Sequence, residues 1–98
     1  MTTKQLQAKI QYLEELLEWR VSSEVKPRDV YEGNTIYNLH GEARIIVKMD
    51  CCFGRARYAL FRRDDGSMVE QAGWLKKEKL LKYMIDSDYR RAAPPTKP

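Results

Sequence analysis

Between Arg55 and Arg63 the chain reads R-A-R-Y-A-L-F-R-R and runs straight into a D-D-G turn. Side chains alternate across a β-strand. One face of this segment therefore carries Arg55, Arg57, Ala59, Phe61 and Arg63, and the other Ala56, Tyr58, Leu60 and Arg62. The second set is mostly apolar and suits a core. The first interleaves guanidinium groups with an aromatic ring, and that combination grips anions: arginine binds phosphate bidentately and an aromatic face stacks on a base. Arg44 and Lys48 join the same basic face if their strand pairs in a suitable register. The competing reading is that alternating charges only solvate the outside of a sheet and protect it from aggregation.

Other chemistry is sparse. Catalysis by a nucleophile needs a base beside it, but His40, the only histidine, lies in a turn with no neighbouring serine or cysteine. Asp64 and Asp65 form a carboxylate pair that turn chemistry explains completely. The five glycines are scattered, so there is no phosphate-cradling loop. Cys51 and Cys52 are adjacent, which strains a mutual disulfide, and a zinc site needs more sulfur or imidazole than is present. They read as reduced thiols. The expectation is a protein that is not an enzyme, with no catalytic residues, no metal and no cofactor.

Charge supports a binding role. The net +4 divides as −1 over residues 1–41, +4 over 42–63 and +1 over 64–98, so the excess sits in the central segment. A local basic field implies an acidic partner, either nucleic acid or an acidic protein. No apolar run approaches the roughly 20 residues needed to span a bilayer, and no signal peptide is evident, so a cytoplasmic location and no membrane partner are expected.

The elements that position these residues can be placed from periodicity. Residues 1–22 read as an amphipathic helix, opened by a Thr2/Gln5 capping box. Leu6, Ile10, Leu13 and Leu17 recur at spacings of four, three and four. The stripe fits first a helix packed on its own domain, widened by Leu16 and Trp19, and as the alternative two heptads of a coiled coil that makes a homodimer, with Ile10 at a and Leu6 and Leu13 at d. Residues 25–88 read as a small β-rich domain with a terminal helix. Strands are expected at Val30–Tyr31, Thr35–Leu39, Ala43–Met49, Arg55–Arg63 and Met68–Gln71, with turns at Glu32–Asn34, His40–Glu42 and Asp64–Ser67 and a break at Gly54. A helix over Leu75–Ile85 carries Leu80, Leu81, Met84 and Ile85 on one edge and Lys76, Lys77, Lys79 and Lys82 on the rest, a solvated face. Residues 92–98 form a proline-rich tail expected to be disordered. The fold class is thus α+β: a helix, an antiparallel SH3-like barrel or curled sheet of 4–5 strands, and a short helix. Closure into a barrel would leave no edges exposed.

The stretch V-K-P-R-D-V-Y-E-G-N-T-I-Y, the central strands, the D-D-G hairpin and W-L-K-K-E-K-L-L together resemble small SH3-like barrel proteins encoded by phages and prophages. The resemblance covers residues 25–85 and leaves out the first helix. It implies a binding role, since such barrels serve both as nucleic-acid modules and as protein adaptors. Two functions are therefore expected. One is a basic-aromatic face on Arg44, Lys48, Arg55, Arg57, Phe61 and Arg63 that engages nucleic acid. The other is a phage-type inhibitor or adaptor acting on an acidic host protein or a defence complex, anti-CRISPR-like, dimeric through Leu6, Ile10, Leu13 and Leu17.

Overall fold

A computed structural model describes residues 2–50, 55–70 and 73–97. The order is α1 (Thr3–Ser22), a single 3-10 turn (Pro27–Asp29), β1 (Thr35–Tyr37), β2 (Ala43–Asp50), β3 (Ala56–Arg62) and α2 (Lys77–Asp86). The protein is α+β, as expected. Its sheet is an open, antiparallel, three-stranded one in the order β1-β2-β3, in place of a closed barrel of four or five strands.

The edges explain why closure is unnecessary. On the β1 side Tyr37 exchanges two backbone hydrogen bonds of 2.8 Å with Arg90. On the β3 side Tyr58 and Leu75 exchange bonds of 2.7 and 2.8 Å, and Phe61 bridges Met68. Single-residue bridges thus cover the edges that a barrel would have sealed. Two expected strands are not formed. Met68 makes one bridge where a strand was expected, and Val30–Tyr31 follow directly on the 3-10 turn Pro27–Asp29, with their amides bonded back to Pro27 and Asp29 and the Asp29 carboxylate accepting from the Lys26 amide at 2.7 Å. The expected thiols of Cys51 and Cys52, the break at Gly54 and the strand end at Gln71 lie outside the described residues.

The hairpin turn is as read. Gly66 takes φ +73°, a conformation other residues rarely adopt. Asp65 accepts from both the amide (2.9 Å) and the hydroxyl (2.7 Å) of Ser67, and these bonds hold its carboxyl below the usual range. The core gathers Val25, Val30, Ile36, Ile46, Leu60, Val69, Leu80, Met84 and Tyr89, so α2 covers the sheet face that carries Ile46 and Leu60. Burial pushes the Tyr89 hydroxyl up, tempered by Arg44.

Helix α1 stands apart from this core. Thr2 and Gln5 form the capping box, with reciprocal bonds of 3.2 and 2.9 Å. At about 1.5 Å per residue its 20 residues span about 30 Å, and the molecule is elongated, 61 × 26 × 19 Å. It docks through its last turn. Trp19 is buried and its indole donates to the Ala92 carbonyl at 2.6 Å. Arg90 lies 5.8 Å over the Trp19 ring and donates to the Arg20 carbonyl at 2.9 Å. Residues 92–98, expected to be a disordered tail, are tied at their start by the bond to Ala92, and Pro94 and Pro95 lie half-buried along a cleft shared with Tyr12 and His40.

Candidate functional site

Cross-strand partners project to the same face of a sheet, so the register decides which cations stand together. Ile36, Arg44 and Arg62 form one row, followed by Ile46 with Leu60 and then Lys48 with Tyr58. This is the core side. The opposite side carries Thr35, Ile45 and Phe61 in one row, then Val47 with Ala59 and Met49 with Arg57.

The expected basic face is therefore divided. Arg57 and Phe61 share the outer side, while Arg44 and Lys48 lie on the inner one. The inner set in β2 is Arg44, Ile46 and Lys48, because Ile46 must meet Leu60 in the core. Arg44 is only 7% exposed, and its guanidinium lies 3.4 Å from the Glu42 carboxylate. A hydrogen bond from the Asn38 side chain, and then Arg44, hold the Glu42 carboxyl below its usual range. Lys48 sits 3.6 Å from Asp50. Both cations are thus compensated by their own neighbours.

Arg55 and Arg63 flank β3 directly and are exposed. Arg63 lines a cleft of about 340 Å³ with Glu42, Ala43, Arg44 and Asp64, so Arg44 and Arg63 meet there and not on the outer face. Two carboxylates share that cleft, which leaves it close to neutral. Arg57 is half-buried and bonds its neighbouring Ala56 carbonyl at 3.3 Å.

One contributor was not read from the sequence. Trp74 packs against Phe61 with ring centroids 5.8 Å apart and planes inclined at 58°, and it keeps 36% of its surface exposed. Its position follows from the edge bridge. Leu75 pairs with Tyr58 and turns to the core, so Trp74, one residue earlier, falls on the outer side. A lone non-local bridge leaves no periodic signal, and only the tryptophan itself, next to Gly73, could have drawn attention. The outer side thus presents an aromatic pair beside Ile45, Val47 and Met49, with Ala59 of the same side fully buried and Arg55 and Arg57 near the start of β3.

Among the described residues no cluster of histidine, cysteine, aspartate or glutamate is arranged to hold a metal ion, and no helix is long and apolar enough to cross a membrane. Comparison with protein families, with curated proteins and with solved structures finds no match for this chain.

Proposed function

We propose that this protein is a non-enzymatic binding protein that engages a polyanion, most simply single-stranded nucleic acid, on the outer side of its sheet. Phe61 and Trp74 stack on bases, and Arg55 and Arg57 meet phosphates, while Arg63 lies in the near-neutral cleft with Glu42 and Asp64. The observation that carries this reading is the partly exposed Phe61–Trp74 pair standing in the same face as Arg57. Base–aromatic stacking contributes roughly 1–3 kcal/mol per base, and every base has a π-face to offer. Arg44 and Lys48, paired with Glu42 and Asp50, are outside the contact surface.

Fluorescence anisotropy of labelled oligonucleotides at several salt concentrations tests the reading. With two phosphate contacts the log–log salt slope should be about −1.4, and Trp74→Ala should weaken binding about five- to hundredfold. No binding of DNA or RNA at low salt overturns it.

The apolar floor of Ile45, Val47 and Met49 favours a second reading, a phage-type adaptor or inhibitor that docks on a protein. Tryptophan, arginine and methionine around an apolar centre are the composition of protein interfaces. A specific protein retained on the immobilised chain from a nuclease-treated lysate, and lost with Trp74→Ala, supports this second reading over the first.

A further inference from the structure

Helix α1 has two apolar faces, and only one is used by the fold. Ala8, Tyr12, Leu16 and Trp19 are buried or half-buried on the side of the domain. Leu6, Ile10, Leu13, Leu17 and Val21 are all exposed, from 48% at Ile10 to 70% at Val21. At about 100° per residue the two faces lie roughly 140° apart around the helix. The leucine stripe therefore points away from its own domain, and the whole chain offers nothing among its described residues to cover it.

We infer that this stripe binds a second copy of the same chain as a parallel, in-register coiled coil. Ile10 and Leu17 fall at a and Leu6 and Leu13 at d, and Ile10 at a between two leucines at d is the residue choice that favours two parallel strands. The flanking positions decide the occupant and its direction. In a parallel pair each g residue faces the e residue five positions further along the partner. That pairing sets Lys9 against Glu14, and by symmetry Glu14 against Lys9, which gives two opposite-charge contacts. The next g–e pair is Leu16 with Val21, of which Leu16 is half-buried on the side of its own domain, and the preceding one is Thr2 with Gln7, which is neutral. An antiparallel pair faces g with g and e with e, so the register that pairs Ile10 with Leu13 and Leu6 with Leu17 sets Lys9 against Leu16 and Glu14 against Gln7, and neither charge meets an opposite one. The stripe is thus complementary to itself in one orientation.

The remaining geometry agrees. Arg20, at the d position after Leu17, is held at 3.6 Å by Asp88 of its own domain, which marks the end of the seam. The domains attach on the far face of each helix through Trp19 and Arg90, so they lie on the outer flanks of the pair. No unfolding is needed, because the stripe is already at the surface of a capped helix. None of this depends on what the sheet binds.

Sedimentation equilibrium of the full chain over a wide concentration range tests the inference. A species of twice the 11.6 kDa chain mass is expected, with dissociation on dilution, since two heptads make a short seam. Ile10→Asp should give a monomer with unchanged circular dichroism. Lys9→Glu alone should weaken the dimer roughly five- to tenfold by turning two attractions into repulsions. Lys9→Glu combined with Glu14→Lys should restore it to within about twofold. Lys9 and Glu14 lie outside the core, so these variants remain informative even if Ile10→Asp were to misfold. A monomer at every concentration, a dimer indifferent to Ile10→Asp, larger oligomers, or a dimer that ignores Lys9→Glu would each overturn the parallel pairing.

Discussion

The apolar rows of β3 and α1 have opposite fates. Tyr58 and Leu60 go into the core, while Leu6, Ile10, Leu13 and Leu17 stay in water. Both rows are regular, and the helical one is the longer. What separates them is the presence of a matching partner within the chain. Leu60 stands opposite Ile46 and beneath Leu80 and Met84, whereas the helix is anchored by a single turn around Trp19 and its stripe is turned outward. Periodicity states that a row will be buried against something; only the contacts state against what.

Substitutions sharpen this contrast. Trp19→Ala removes the anchor of α1, with its indole bond to Ala92 and its contact with Arg90. It should cost about 3–5 kcal/mol, read by urea denaturation together with faster proteolysis in α1. Leu60→Ala leaves a cavity at a fully buried site and should cost about 2–5 kcal/mol. The equivalent change at Leu17, 64% exposed, should alter monomer stability by under about 0.5 kcal/mol. Equal losses at Leu60 and Leu17 would erase the distinction between the two rows.

A smaller effect separates the core face by pH. Burial raises the Tyr89 pKa in the folded protein, so the phenol is kept neutral there. The contribution is intact below the ordinary tyrosine pKa of about 10 and is lost as pH rises past it, because the unfolded chain ionises first. Stability measured from pH 9 to 11 should fall, and Tyr89→Phe should flatten that fall. An unchanged slope in the variant would place the pH dependence elsewhere.

The sequence made some of this legible. The capping box at Thr2, the D-D-G hairpin and the inward set of β3 were visible because each depends on residues close in the chain. The face of β2 was not. Both of its alternating sets contain isoleucine, and the outcome depended on Ile46 meeting Leu60, which carried Arg44 inward with it. The barrel expectation failed for a similar reason. Edge protection was correctly required, but it came from Arg90, Leu75 and Met68 acting as single bridges with no strand pattern of their own. Trp74 became part of the candidate site through the same non-local bridge. On α1 the spacing was right, and the choice between packing on the domain and facing outward was settled by Trp19, Leu16 and Tyr12 taking the inner side.

The claim that joins these points is that the leucine stripe of α1 is surface, not core. Urea denaturation of Ile10→Asp, at a concentration low enough to keep both proteins monomeric, tests it most directly. The predicted result is a cooperative transition within about 1 kcal/mol of the parent chain, the scale of the helix-propensity cost of aspartate alone. A chain that is unfolded, or destabilised by several kcal/mol, would contradict it and place the stripe inside the fold.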